Sequence, residues 1–224
     1  METFVVRLWL PDRPGALGQV ASRIGAVRGD VVGMDILERD GGQAVDELAV
    51  ELPDAGLVDM LVREVRQVDG VNVEEVRRVP GGGRHHDPQL AALEAVAHLV
   101  AATDQVELLD GLVDQARRVL GATWAAVVDC EPGGHEVVAR SGEAPSGAWL
   151  RAFVAGSQEA GRDTSDTAWA PLPTAGLALV LGRERVSFRA RERREVAAFA
   201  RVADARHREL RRAASRPRHP SVHN

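Results

Sequence analysis

Two modules of mixed α and β structure, an α+β fold class with two antiparallel sheets, are predicted from three observations. Residues 1–80 switch between two-residue and 3.6-residue hydrophobic periods in the order strand, helix, strand, strand, helix, strand. The run Pro80-Gly81-Gly82-Gly83 then breaks the pattern. Beyond it the periods resume, with helices at both ends and four short strands between them.

Phe4 to Leu10 alternates strongly and reads as the first strand. Pro14 presets φ and Gly15 permits a sharp turn into a helix bearing Leu17, Val20, Ala21, Ile24 and Val27. Gly29 and Asp30 stop that helix. Val31 to Leu37 is the second strand, with Val32, Met34 and Ile36 on one face. Asp40-Gly41-Gly42 signals a hairpin returning as Val45 to Leu52, with Leu48, Val50 and Leu52 on one face. Pro53-Asp54-Ala55-Gly56 opens a second helix carrying Leu57, Leu61, Val65 and Val68, closed by Asp69-Gly70 before a last strand, Val71 to Val79. This order is the split βαβ, or ferredoxin-like, arrangement, with both helices on one sheet face. Val5, Arg7 and Trp9 fall on the side of the first strand opposite Phe4, Val6, Leu8 and Leu10. A sheet face left bare by the helices packs on another copy or another domain, so a homodimer is expected.

After the glycines come His85-His86-Asp87, which lack further ligands at metal-binding spacing and read as linker. Leu90, Leu93, Ala97 and Val100 form one helical stripe, and Asp104 opens a helix with Leu109, Leu112, Val113, Ala116 and Leu120 inward, ended by Gly121. Thr123–Asp129 and His135–Ser141 are strands joined by Pro132-Gly133-Gly134. Pro145–Gln158 is helical, with Trp149 and Phe153 as its large apolar residues. Ala168–Leu172 and Gly176–Leu181 are strands. A long helix from Arg189 turns Val196, Phe199, Val202, Ala203 and Leu210 inward, and Ser215–Asn224 reads as a disordered tail.

Composition narrows the function classes. The chain has 224 residues and a net charge of −5. Its single cysteine, Cys130, rules out an intrachain disulfide and a cysteine-based zinc site. Without a run of about 18 apolar residues or a basic-then-apolar leader, a cytoplasmic protein without a membrane span is expected. The basic residues are all arginine, and residues 183–224 hold 13 of them against 5 acids. Acids such as Glu184, Glu192, Glu195, Asp204 and Glu209 alternate among them, which suits the charged face of a helix better than a nucleic-acid footprint. Cys130 with His135 lacks a third orienting group, and a buried, inert thiol is expected instead. Trp124, Trp149 and Trp169 either line a pocket or pack in a core, with core packing the working assumption.

The segment Asp12-Arg13-Pro14-Gly15-Ala16-Leu17, followed by Val20, Ile24, Asp30-Val31 and Val71-Asn72-Val73, resembles an ACT domain. The resemblance covers about a third of the chain. It implies a small ligand-binding or dimerisation module spanning 1–79, with ligand contacts at Asp12, Arg13, Gly15, Ala16 and Leu17 and at Asp30 and Val31 of the second strand. An amino acid would set its carboxylate on the Gly15 and Ala16 amides and its ammonium on Asp30, where the family pattern favours Asn. Ligand binding and pure assembly both stay open. The run 89–213, after a linker at 80–88, resembles a GAF domain, a sensor fold related to PAS. The carrying residues are Ala125–Asp129, Ala170-Pro171-Leu172, Leu177–Leu181, Phe188 and the closing helix Glu192–Ala205. Its middle, Ala144–Thr167, is short for that fold, which predicts a reduced pocket. The combined expectation is a regulatory protein without catalysis, cofactor or metal. It senses a metabolite, an amino acid by preference, and signals through an unnamed protein partner; the alternatives are a ligand-free scaffold or a small C-terminal enzyme.

Overall fold

A computed structural model describes residues 1–79, 87–131, 137–160, 166–184 and 186–215. The expectations for the Pro80–Gly83 hinge, His85 and His86, the Pro132–Gly134 turn with His135, and nearly all of the tail lie outside the described residues. The fold is α+β with two antiparallel sheets. The chain divides into two units, Met1–Ala91 with Arg189–Glu192, and Ala92–Phe188 with Arg193 onward.

In the first unit β1 (Glu2–Pro11), α1 (Ala16–Ala26), β2 (Asp30–Asp40), β3 (Gln43–Leu52), α2 (Val58–Val65) and β4 (Asn72–Val79) follow the predicted order. A 3-10 turn, Ala55–Leu57, precedes α2, and Asp54 caps it by accepting from the Gly56 amide at 2.6 Å. The strands lie in the order β2-β3-β1-β4, every pairing antiparallel. Phe4, Val6, Leu8 and Leu10 of β1 and Leu48, Val50 and Leu52 of β3 face α1 and α2, whose Val20, Ile24, Leu61 and Val65 complete the core. Each such side chain withdrawn from water contributes roughly 1.5–3 kcal/mol. Gly41 and Gly42, both at positive φ, make the two-residue β2–β3 turn that suits the strand twist.

The face opposite the helices is not bare in a single chain. Val5, Val45 and Ala49 are buried there, and Arg7 is only 3% exposed. Arg7 bonds Glu47 through Nη2 at 2.7 Å and Glu192, also of this unit, at 2.8 Å, so a charge sits on that face with its partners. Exposed apolar residues of this unit include Val32, at 46%, and Met34, at 41%, on the edge strand β2.

The second unit runs α3 (Pro88–Ala101, begun in the first unit), α4 (Gln105–Val119), β5 (Trp124–Asp129), β6 (Val137–Ser141), α5 (Gly147–Ala160), β7 (Thr167–Leu172), β8 (Leu177–Gly182) and α6 (Ala190–Ala214, its first three residues counted with the first unit). Its sheet order is β6-β5-β8-β7. Leu108, Leu112 and Ala116 of α4 and Val196, Phe199 and Ala203 of α6 pack on one face, against Ala125, Val127, Leu179 and Leu181. Leu150 and Val154 of α5 pack on the other, against Ala126, Val128, Ala178 and Val180. Asp104 caps α4 by accepting from the Glu107 amide at 2.9 Å, while Glu107 accepts from the Thr103 amide and hydroxyl at 2.7 and 2.8 Å.

The stripe Leu90, Leu93, Ala97 and Val100 of α3 is exposed, and Ala95 and Leu99 are the buried pair. In α5 the inward residues are Leu150 and Val154, whereas Trp149 is 46% exposed and stacks on Phe153 at 5.4 Å. Trp124 and Trp169 do pack against the core beneath α5. Arg183 is no surface charge. It is buried, donates to the Val186, Leu120 and Ser187 carbonyls, and lies 4.0 Å over the Phe188 ring.

Gly182 faces Trp124 across the β5–β8 pairing, and a Cβ built on it would overlap the indole ring. Gly182→Ala should therefore force Trp124 off its seat and cost about 1–3 kcal/mol. A lowered midpoint in chemical denaturation, followed by tryptophan fluorescence, is the expected result.

Candidate functional site

The candidate site is the corner where β1 hands over to α1. Gly15 stands at the head of α1 with φ 88° and ψ −13°, a left-handed conformation that costs glycine little. A side chain there would meet nothing within 4 Å, so the corner is open above the helix start. No side chain caps α1 and its first turn holds no acid. The Ala16 amide turns back to the Arg13 carbonyl at 3.3 Å, and the Arg13 amide donates to the Pro11 carbonyl at 2.8 Å. An α-helix leaves its first amides without internal partners, and at this one those of Leu17 and Gly18 belong to the dipole's positive end. Asp12 fastens the corner to the β2–β3 hairpin, its amide donating to the Gly42 carbonyl at 2.9 Å. Its carboxylate stands 3.9 Å from Arg39 Nε, near the end of β2.

One group at this end of the sheet was not anticipated. Asp46 occupies the inward row of β3, between Ala44 and Leu48, opposite Leu8 on β1 and Ile36 on β2. It is 3% exposed, and its Oδ1 is buried without a hydrogen-bond partner. Burial pushes its carboxyl above the ordinary carboxylate range; Arg39 pulls the other way, and the like charge of Asp12 adds to the rise. The sequence carried a signal for it: a single acid in the row Ala44, Asp46, Leu48, Val50, Leu52.

The predicted site residues do not all meet. Asp12, Arg13, Gly15, Ala16 and Leu17 share the corner; Asp12, Arg13 and Gly15 are exposed, Leu17 is half-buried and Ala16 is buried. Asp30 is exposed at the start of β2, opposite Glu51, which in turn lies opposite Thr3 at the start of β1. Val31, next to it, packs partly on the helix-side core. With Pro11 eight residues along β1 from Thr3, Asp30 is roughly 26 Å from the corner at about 3.3 Å per residue. No single amino acid spans that distance within one chain. The Ala16 amide, assigned to a ligand carboxylate, is already engaged in the turn.

Elsewhere, a hollow of about 500 Å³ lies between α1 and the end of α2, lined by Gln19, Arg23, Gln67 and Asp69 among others. Another of about 310 Å³ adjoins Cys130, Arg151 and Gln158. Cys130 is exposed, not buried as expected. Burial of part of its surroundings, with Asp129 nearby, nevertheless holds its thiol above the usual range against the opposing pull of Arg151. Its Sγ–H contacts the Val128 carbonyl at 3.8 Å. Among the described residues no group of three His, Cys, Asp or Glu could hold a metal ion. None of the helices there is long and apolar enough to cross a membrane.

A folded-state carboxyl held above its unfolded value costs stability once the pH exceeds the unfolded value, near 4, and the cost is complete above the folded one. Asp46→Asn should therefore melt higher than the parent chain at pH 7 and lose that advantage as the pH falls towards 4. Thermal denaturation of both proteins across this range tests the sign.

No family model and no curated protein matches the chain. Solved structures similar to it include the ACT domain from the GTP pyrophosphokinase of Chlorobium tepidum, 18% identical, covering 35% of this chain and 100% of that one at a TM-score of 0.29. A formyltetrahydrofolate deformylase from Pseudomonas putida is 19% identical over 35% of this chain, which spans 29% of that protein, with a TM-score of 0.28. A bacteriophytochrome from the photosynthetic bacterium R. palustris is 13% identical, covering 81% of this chain and 43% of its own, with a TM-score of 0.41.

Proposed function

We propose that this chain is a non-catalytic regulatory protein whose first unit binds a small amino acid at the β1–α1 corner and whose second unit passes the occupied state to a protein partner. The observation that carries this reading is the uncapped start of α1 beside the open Gly15. Free amides at a helix start take a carboxylate without any side chain. Binding would act by population shift, favouring whichever conformation holds the ligand better. A raised thiol at Cys130 suits a chain that does not use it as a nucleophile.

A thermal-shift screen of the proteinogenic amino acids against the full chain tests the reading. A true ligand at a hundred times its Kd adds about 2.7 kcal/mol of stability. Gly15→Ala should weaken that response, because it strains the left-handed turn that presents the amides. A screen in which no amino acid raises the melting temperature would defeat the proposal.

The second reading, assembly without a ligand, is favoured by the exposed Val32 and Met34 on the edge strand β2. An unpaired edge with apolar side chains invites pairing with a second copy. On this reading a homodimer would pair through this edge. Light scattering should give twice the chain mass for the parent protein and a single chain mass for Val32→Lys/Met34→Glu.

A further inference from the structure

Resting on the amino-acid reading of the corner, we infer that Asp46 is the group that selects the ammonium of the ligand, within the same chain and without Asp30. Three observations converge on it. Asp46 is buried in an otherwise apolar row, and one of its carboxylate oxygens has no partner. A buried acceptor left unmade costs far more than an exposed one, so the fold carries an unfilled demand for a donor at this place. Secondly, its electrostatic neighbours are Asp12 and Arg39, residues of the corner and of the strand end beside it. Asp12 and Asp46 are like charges, and Arg39 stands against them, at 3.9 Å from Asp12 and beyond hydrogen-bonding distance. A cationic group entering here meets two carboxylates. Thirdly, the first amides of α1 offer an anion site at the same end of the sheet.

The chemistry that matches both halves is a small zwitterion, its ammonium on Asp46 with Asp12 and its carboxylate on the Leu17 and Gly18 amides. A bare divalent cation does not match, since among the described residues no three metal-ligating side chains gather. An acid lacking the amine would find only half the site. The zwitterion also explains why Asp30 is dispensable: it stands at the far end of β2.

Calorimetric titration of the full chain with the proteinogenic amino acids, each paired with its 2-hydroxy acid, separates the possibilities. At least one amino acid should bind, with its 2-hydroxy counterpart about tenfold weaker or worse. Asp46→Asn should weaken that amino acid roughly tenfold to a hundredfold, as expected for a lost hydrogen bond to a charged group, while Asp30→Asn leaves it unchanged. Equal affinity of amino acid and hydroxy acid, or an unchanged Kd in Asp46→Asn, overturns the inference and leaves the sensor reading intact. Loss of binding in Asp30→Asn alone does the same. If no amino acid binds the parent chain, the reading of the corner fails and this inference with it. The hydroxy-acid comparison uses the parent protein and decides the matter even if Asp46→Asn does not fold.

Discussion

The inward apolar rows of β1 and β3 are the constraint on which the first unit depends. Both are inner strands, paired on either edge, so neither can slip by one residue without turning its whole apolar row to the wrong face. Phe4, Val6, Leu8 and Leu10 on one strand and Leu48, Val50 and Leu52 on the other hold that register against α1 and α2. The same rigidity dictates where every other residue of those strands must point. Arg7 is fixed on the far face, where Glu47 and Glu192 receive it. Asp46 is fixed on the helix side, whatever its own preference for water.

The corner depends on that frame. β1 ends where the β2–β3 hairpin begins, and the Asp12 amide bonded to the Gly42 carbonyl joins the two. Gly41 and Gly42 can both take positive φ, which lets the hairpin close in two residues and keeps its carbonyl within reach. Gly15 then reverses the chain in a conformation that other residues adopt only at a cost. The helix consequently starts on backbone alone, without the Ser, Thr, Asp or Asn that heads most helices, whereas Asp104 does cap α4. One unit of the chain thus follows the ordinary capping rule at α4, and the other leaves α1 unmet.

Much of this was legible in the residues. The order of elements in the first eighty residues, the glycine turns and the inward rows of β1 and β3 follow from period and turn chemistry, which are local. The failures have physical causes. Helix α3 is apolar on nearly every side, so its period could not say which stripe is inward; Ala95 and Leu99 are, and the larger Leu90, Leu93 and Val100 are not. Trp149 is exposed and stacks on the partly buried Phe153, and the smaller Leu150 and Val154 fit the inner face of α5. Arg183 looked like one more charge in a basic run, yet the Leu120 carbonyl at the end of α4 and the Val186 and Ser187 carbonyls before α6 take its guanidinium inside.

The separation of Asp30 from the corner was open to derivation and was missed. A helix that joins two strands lying parallel within one sheet carries the chain back along the first strand, so the second strand begins level with the beginning of the first. Asp30 must therefore stand beside the start of β1, as its pairing through Glu51 to Thr3 shows. β3 starts where β1 ends, so its early inward residues, Ala44 and Asp46, lie at the corner's end of the sheet. A sequence that keeps an acid in that row, where an apolar residue would fill the space without an unmet oxygen, departs from its own packing rule at one place. That place is where the helix beside it also begins without a cap.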